Sequence, residues 1–278
     1  MIVNGSSQDT IAINDRGLAY GDGVFETILL HRHHPILLQA HLDRLESGTS
    51  RLKISLDRTQ LEQEIADYSP HFPDQGVLKI IVTRGAAGRG YRPLDSSATK
   101  RILSLHALPV YEGDPGNSGI ATFICNQRLA IQPALSGIKH LNRLEQVLAS
   151  QEWPDESFME GIMLDSNGNV IEGTRSNIFW SESGSLFTPS LFNCGVAGIM
   201  RNYLLNSIAG AAEINDCSLD RLLGADDIFI CNSVFGIWPV RSIQAGSKTV
   251  ALDVDGSEAI FTRQAQSLFQ ELLKADAA

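Results

Sequence analysis

Apolar side chains in the first hundred residues recur with the periods of both strands and helices. Strands are predicted at residues 24–31, 77–83 and 101–108, the last two of them buried, and short strands at residues 1–3 and 10–13. A helix is predicted over residues 39–52, where Leu42 and Leu45 recur at helical spacing, and a second, weaker one over residues 59–68. This half of the chain therefore mixes strands with amphipathic helices.

Hairpin signals dominate the second half. The dipeptide Asn167-Gly168 separates two apolar runs, residues 161–164 and 169–172, which is typical of a tight hairpin. Further strands are predicted at residues 120–125, 177–180, 185–188, 227–231 and 237–243, and helices at 141–151, 199–209 and 258–273. So many hairpins argue against a parallel doubly wound sheet and favour a β-rich, barrel-like domain.

A proline- and glycine-rich segment separates the two halves. Residues 110–119 have the composition of a linker. We therefore predict two α/β domains, an N-terminal one over residues 1–109 and a β-rich one over residues 120–278.

Charge and composition exclude several classes of protein. The chain has 278 residues, with 22 basic and 32 acidic side chains and a formal net charge of −10. No basic stripe suggests nucleic-acid binding, and no apolar run approaches the roughly 18 residues that a membrane span needs. The N-terminus lacks the layout of a secretory signal. The four cysteines are far apart and include no Cys-x-x-Cys pair, so we interpret them as reduced thiols and not as a zinc site or a disulfide framework. We expect a cytoplasmic enzyme that acts on a small molecule.

Two polar patterns point to chemistry but have simpler explanations. His31, His33 and His34 could hold a metal, although a solvated hairpin turn explains them better, so no metal is expected. The glycine-rich stretches match neither the phosphate-binding loop of ATP-binding proteins nor the dinucleotide fingerprint.

Three further positions are weak signals when taken singly. Lys139 precedes a predicted helix, where a surface lysine is the ordinary interpretation, although a buried lysine amine can form covalent bonds with carbonyl groups. Glu172 ends a predicted hairpin strand. Glycines in residues 195–198 open a predicted helix whose first N–H groups would favour an anion, though a plain loop explains them equally well.

The order of six segments along the chain resembles the class IV aminotransferases, which are pyridoxal-phosphate enzymes of fold type IV. The segments are GDGVFET (21–27), HLDRL (41–45), GIKHLNRLEQVLA (137–149), EGTRSNIF (172–179), GVAGIMR (195–201) and CNSVFGIWPV (231–240). The resemblance covers nearly the whole chain. It implies the two-domain, D-amino-acid-aminotransferase-like fold, in which an N-terminal α/β domain precedes a β-rich domain that binds pyridoxal 5'-phosphate.

Within the family, residues 137–149 and the segment RGAAGRGY (84–91) most resemble the 4-amino-4-deoxychorismate lyases. That resemblance implies elimination of pyruvate from 4-amino-4-deoxychorismate, which gives 4-aminobenzoate for folate synthesis. The alanines in RGAAGRGY depart from the more glycine-rich form of the lyases, which leaves the geometry of this loop open.

The resemblance also implies a role for each matching residue. Lys139 would bond to the cofactor aldehyde, Glu172 would pair with the pyridine nitrogen, and Arg44 would grip the phosphate. The remaining implied cofactor contacts are the backbone N–H groups of Ile199 and Met200 and the hydroxyl of Ser233.

On the substrate side, Thr27 would help protonate the departing group, while Arg89 and Tyr91 would bind the substrate carboxylates. Tyr20 and Asn142 are candidates for the pocket wall. The family resemblance further implies a homodimer.

Two alternatives remain open at this point. A D-amino-acid or branched-chain aminotransferase would share Lys139, Glu172 and Arg44 and would return the amino group to a second keto acid. A binding or scaffold protein that has lost the cofactor is the second alternative, although the retained Lys139 and Glu172 argue against it.

Overall fold

The structure, a computed structural model, describes residues 1–86, 90–94, 98–256 and 259–275. The chain forms two compact units. The first comprises Met1–Pro109 with Ile138–Asn142, and the second comprises Val110–Gly137 with Arg143–Lys274. The segment predicted to be a linker contains a short helix, Pro115–Ser118, whose N-terminus is capped by the side chain of Asp114.

The first unit is built around one antiparallel sheet. Its strands are β1 (Ile2–Val3), β2 (Ser6–Ser7), β3 (Gly23–His31), β4 (His34–Pro35), β5 (Gln75–Thr83) and β6 (Lys100–His106). Its helices are α1 (Arg16–Tyr20), α2 (Leu38–Arg51) and α3 (Arg58–Tyr68), the last continued by a 3-10 turn at Ser69–His71. The strands lie in the order β2-β1-β6-β5-β3-β4.

The core of this unit lies between β3 and α2. Alternate residues of β3, Val24, Ile28 and Leu30, are buried in one cluster with Leu42 and Leu45 of α2. The alternation follows from the two-residue repeat of a strand, and the helical residues follow the three-to-four-residue spacing of an amphipathic helix. The strands predicted at residues 24–31, 77–83 and 101–108 and both predicted helices are confirmed.

The strand predicted at residues 10–13 is wrong. The chain instead turns back at Asn4 and Gly5, both with positive φ (49° and 76°), so that Ser6–Ser7 pairs with Ile2–Val3. An Asn-Gly pair favours this kind of two-residue hairpin because both of its residues tolerate positive φ. Residues 10–12 have no regular structure.

The second unit contains a nine-stranded sheet. Its strands are β7 (Ile120–Leu129), β8 (Phe158–Asp165), β9 (Val170–Gly173), β10 (Asn177–Glu182), β11 (Ser185–Pro189), β12 (Ala212–Ile214), β13 (Asp227–Asn232), β14 (Gly236–Ala245) and β15 (Lys248–Ala251). Its helices are α4 (Pro115–Ser118), α5 (Leu144–Ser150), α6 (Ile199–Ser207), α7 (Leu219–Leu223) and α8 (Ile260–Ala275).

Hairpins join β8 to β9 and β10 to β11, as predicted, and a further hairpin joins β13 to β14. The sheet order is β12-β11-β10-β13-β14-β7-β8-β9, with β15 against β14, and the sheet curls into a half-barrel. Not every pairing is antiparallel, since β7 runs parallel to both of its neighbours, β8 and β14. The fold is therefore mixed α/β with a β-rich second unit.

Candidate active site

Lys139 lies in an extended segment beside the first residues of β3, on the side away from β5. The N–H of Phe25 donates to the carbonyl of Lys139 at 3.0 Å, and the N–H of Leu141 donates to the carbonyl of Gly23 at 3.0 Å. Because these residues are tied to β3 by backbone hydrogen bonds, α5 begins at Leu144 rather than at residue 141, where the sequence predicted it. Lys139 thus belongs to the first unit, although its position in the sequence falls within the predicted second domain.

The Lys139 amine and the Thr27 side chain face the same side of β3. The Nζ atom lies 4.4 Å from the centre of the Phe25 ring, and Thr27 is two residues further along the strand. Residues two apart in a strand share a face and are separated by roughly 7 Å. Both Lys139 and Thr27 are half-buried.

Arg44 is held by a carboxylate that the sequence analysis did not single out. The Nε and Nη2 atoms of Arg44 donate to the two oxygens of Glu26 at 2.8 and 2.5 Å, and His41 Nδ1 lies 2.6 Å from Glu26 Oε2. Burial favours the neutral form of Glu26, but the charge of Arg44 and the hydrogen bonds from His41 and Arg44 outweigh it and lower its pKa to about 2. Burial also lowers the pKa of His41, against the opposing effect of Glu26. Since an ionised carboxylate only accepts hydrogen bonds, a neutral His41 must carry its proton on Nδ1.

In the second unit, Glu172 is a buried carboxylate fixed by a backbone N–H group. The residue is 4% exposed, and its Oε2 accepts from the N–H of Val196 at 2.8 Å. Gly195 beside it has φ of +85°, and a Cβ there would lie 2.8 Å from Leu191 and 3.3 Å from Glu172 Oε2. The close approach of this loop to Glu172 therefore requires glycine.

A second buried acid, also missed in the sequence, shapes the turn that follows Glu172. Glu160 is fully buried and accepts from the N–H of Thr174 at 3.0 Å and from the hydroxyls of Thr174 and Ser176 at 2.5 and 2.8 Å. The hydroxyl residues of the segment EGTRSN were a usable signal, because hydroxyls inside a sheet need acceptors.

Gly198 immediately precedes α6, so its backbone sets the position of the first N–H groups of this helix. Being glycine, it has no side chain with which to cap the helix, and a Cβ there would lie 1.9 Å from the Oδ1 of Asn177. Asn177 in turn donates to the carbonyl of Val196 at 3.0 Å. The side chains of Ile199 and Met200 are buried, so these two residues can offer an anion only their backbone N–H groups.

Ser233 follows β13 in a turn organised by its neighbour. The side-chain oxygen of Asn232 accepts from the N–H groups of Val234 and Phe235, both at 2.9 Å. β13 pairs with β10 at Cys231 and Asn177, which connects this turn to the residue that supports the start of α6.

The candidates for substrate contacts cluster near α1. The rings of Tyr20 and Tyr91 are 5.5 Å apart, and the guanidinium of Arg16 donates to the carbonyls of Gly90 and Tyr91, both at 2.9 Å. Asn142 donates to the carbonyl of Gly21 at 3.2 Å. Arg89 lies outside the described residues.

Arg16 was not predicted and is itself held by a further ion pair. Its Nε donates to Asp22 at 2.8 Å, and Arg84 donates to the same carboxylate at 2.8 and 3.0 Å. Burial would raise the pKa of Asp22, but the hydrogen bonds and charges of Arg84 and Arg16 lower it overall. The GDG motif therefore anchors Gly90 and Tyr91 through Arg16.

The histidine-rich segment forms the predicted hairpin turn. His31 ends β3, His34 begins β4, and His33 Nδ1 contacts the carbonyl of Phe72 at 2.9 Å. Within the described ranges, no three His, Cys, Asp or Glu side chains are placed to hold a metal ion. No helix in the same part of the chain is both long and apolar enough to cross a membrane.

Comparison with known proteins extends the resemblance seen in the motifs. A solved structure of 4-amino-4-deoxychorismate lyase from Pseudomonas aeruginosa is 43% identical, with a TM-score of 0.90, covering 97% of this chain and 98% of that one. Aminodeoxychorismate lyase of Vibrio harveyi is 35% identical over 246 residues, 87% of this chain and 91% of that protein. D-alanine aminotransferase of Bacillus licheniformis is 25% identical over 281 residues, 98% of this chain and 95% of that protein.

The family assignment rests on a family model that matches most of the chain. The model of the family described as amino-transferase class IV matches residues 23–243, which include β3, the Lys139 segment, Glu172 and the start of α6. This chain belongs to the class IV aminotransferase family.

Proposed function

We propose that this chain is a pyridoxal-phosphate-dependent lyase that converts 4-amino-4-deoxychorismate to 4-aminobenzoate and pyruvate. The observation that carries the proposal is the placement of the Lys139 amine and the Thr27 side chain on one face of β3. The likeness to the Pseudomonas and Vibrio lyases over most of the chain supports the same reaction.

The family resemblance assigns each of these residues to one functional group of the cofactor, and the chemistry of each residue, taken within its own unit, suits that role. The first unit offers a primary amine at Lys139 for the aldehyde and a guanidinium at Arg44 for the phosphate. The second unit offers the buried carboxylate of Glu172 for the pyridine nitrogen and the N–H groups of Ile199 and Met200 for the phosphate. Ser233 is a further candidate for the phosphate.

The chain's own groups would move two protons in this reaction. Bound pyridoxal phosphate supplies an aldehyde that bonds the substrate amine and a ring that draws electrons from the adjacent carbon. Lys139 Nζ takes the proton from the ring carbon next to the substrate nitrogen. The neighbouring C–O bond then breaks, the six-membered ring becomes aromatic, and the Thr27 hydroxyl helps to protonate the departing enolpyruvyl group. The proton that Lys139 has taken restores this hydroxyl, and the Lys139 amine then displaces 4-aminobenzoate from the aldehyde. Arg89 and Tyr91 bind the substrate carboxylates, and Tyr20 and Asn142 line the pocket.

The proposal is tested by turnover and by the position of the covalent link. The pure protein supplied with pyridoxal phosphate should form 4-aminobenzoate and pyruvate in equal amounts. Borohydride reduction followed by peptide mapping should place the cofactor on Lys139, and Lys139→Ala should lose both the label and turnover. A label on another residue, or normal turnover by Lys139→Ala, contradicts the proposal.

The second candidate is an aminotransferase, which the likeness to the Bacillus licheniformis enzyme favours. Such an enzyme would use the same lysine but would pass the amino group to a keto acid. Incubation with D-alanine and 2-oxoglutarate discriminates between the two activities. Fast transamination without release of 4-aminobenzoate would reject the lyase.

We also propose that the protein acts as a cytoplasmic homodimer. Large apolar side chains are exposed in both units, including Ile13, Tyr91, Val110 and Phe192. The four cysteines are buried free thiols, which suits a reducing compartment. Sedimentation velocity of the purified protein should give the mass of two chains, whereas the mass of one chain contradicts the dimer.

A further inference from the structure

Glu26 is a buried carboxylate at a position where the strand pattern calls for an apolar side chain. It lies between Val24 and Ile28 on the face of β3 that packs against α2, and it is 1% exposed. A carboxylate is costly to bury unless it is paired and hydrogen-bonded. The presence of a carboxylate at this position therefore calls for an explanation beyond packing.

The partners of Glu26 come from one face of α2. His41 and Arg44 are three residues apart, so their side chains project from the same side of the helix. His41 is fully buried, and its Nε2 atom has no hydrogen-bond partner among the described residues. The hydrogen bond of His41 Nδ1 to Glu26 is therefore the contact that orients this imidazole.

Arg44 is the member of this cluster that reaches the surface. Its side chain is 12% exposed, against 1% for Glu26 and 0% for His41. The two-point contact with Glu26 uses one edge of a planar guanidinium, so it fixes both the position and the plane of that group. The remaining N–H bonds are then directed away from Glu26 in a set direction.

We propose that Glu26 is a positioning residue for anion binding. It holds the guanidinium of Arg44, and His41 donates the further hydrogen bond that Glu26 accepts. In this way Glu26 sets the affinity of the protein for the phosphate group of its cofactor. This inference rests on the proposed function, in which Arg44 binds that phosphate. Two effects of Glu26 oppose each other, because its negative charge repels an anion while its two hydrogen bonds hold the cation in place. The gain in phosphate affinity from holding Arg44 in place exceeds the loss from the negative charge of Glu26.

A substitution that keeps the charge and moves the acceptor separates the two effects. Glu26→Asp retains the carboxylate but withdraws it by one methylene, which breaks the two-point contact. The measured quantity is the ratio of the affinities for pyridoxal 5'-phosphate and for pyridoxal, each followed by its visible absorption band on the protein. The two compounds differ only in the phosphate, so a general loss of stability would lower both affinities and leave the ratio unchanged.

The chain supplies a matched control in Glu64. This residue is also buried, at 5% exposure, and is also held at two points, by Arg101 at 2.9 and 2.7 Å in the same unit. Glu64→Asp should lower the thermal stability while leaving the affinity ratio at the wild-type value.

The expected result is a fall in the ratio of about ten- to a hundred-fold in Glu26→Asp, the range expected for losing a hydrogen bond to a charged group. Glu26→Gln, which keeps the shape but replaces an acceptor with an NH₂ donor, should lower the ratio as well. In an Arg44→Lys background there is no guanidinium for Glu26 to hold at two points, so neither substitution of Glu26 should change the affinity ratio further. An unchanged ratio in Glu26→Asp, or a raised ratio in Glu26→Gln, overturns the inference. A wild-type protein that binds neither compound contradicts the proposed function instead.

Discussion

Glu26 and Thr27 are neighbours in the sequence, but their side chains lie on opposite faces of β3. Glu26 faces α2 and pairs with His41 and Arg44, while Thr27 faces the side of Phe25 and Lys139. One strand therefore contributes both a group that orients a cation and a group suited to transfer a proton. The roles of these two residues should separate cleanly under substitution.

Replacing Thr27 with valine removes a hydroxyl while keeping the shape of the side chain. Because proton transfer by a positioned group contributes at least about a hundred-fold to rate, we expect kcat of Thr27→Val to fall by about that factor. The absorption band of the bound cofactor should stay as in the wild type. Thr27→Ser, which restores a hydroxyl, should recover most of the rate. Equal rates for the valine variant and the wild type would exclude a role for this hydroxyl.

The ion pair of Glu26 should appear in the pH dependence of stability. The pKa of Glu26 is about 2 in the folded protein against an ordinary value of 4.5, so the ionised form is favoured by folding. The contribution, about 3 kcal/mol, is complete above pH 4.5 and declines as the pH falls from there toward 2. Denaturant unfolding of the wild type and of Glu26→Gln at several pH values measures it. The difference in unfolding free energy should shrink below pH 4.5, and a constant difference would contradict the assignment.

At the scale of elements, the second unit builds its candidate site from loops that buried polar side chains hold in place. Glu160 fixes the turn between β9 and β10, and Asn177 supports the loop before α6. These contacts fix the position of the N–H groups at the start of α6, although no side chain caps the helix. Because Asn177 is held against this loop, there is little space for a side chain at Gly198.

Gly198→Ala tests how closely the start of α6 is constrained. The φ and ψ of −62° and 139° suit alanine, so the expected effect comes from the clash of the new Cβ with Asn177 and not from backbone strain. Overpacking of this kind costs about 1–3 kcal/mol of stability, and the affinity for pyridoxal phosphate should fall with it. Thermal unfolding and cofactor titration measure the two effects.

The matched control for this substitution is Gly116→Ala. A Cβ at Gly116 would have its closest contact at 3.5 Å, with Asp114, and its φ is not positive. This variant should keep the stability and the cofactor affinity of the wild type. If Gly198→Ala behaves in the same way, the start of α6 is more adaptable than the close contact indicates.

At the scale of the whole molecule, the reactivity of the four cysteines measures whether the second unit is folded. All four are buried, and all lie in the second unit, at Cys125, Cys194, Cys217 and Cys231. Burial raises the pKa of each thiol to about 12, which suppresses the reactive thiolate. Their modification therefore requires opening of the second unit.

A thiol reagent should consequently leave the native protein unmodified at neutral pH and react with four thiols after denaturation. In a denaturant series, the appearance of reactive thiols should follow the change in fluorescence of Trp153, Trp180 and Trp238, which lie in the same unit. Rapid reaction of a cysteine in the native protein would show that its surroundings open locally.

The sequence by itself determined the periodic elements, the hairpins and the motifs, because each depends on residues close together in the chain. The apolar spacing of α2, the alternation of β3 and the Asn167-Gly168 turn are of this kind. The tertiary structure alone decided that residues 138–142 pair with the backbone beside Phe25, and that Glu26 and Glu160 find their hydrogen-bond partners inside the protein. Those contacts join residues 14 to more than 100 positions apart, and no local pattern specifies which distant groups meet once the core closes.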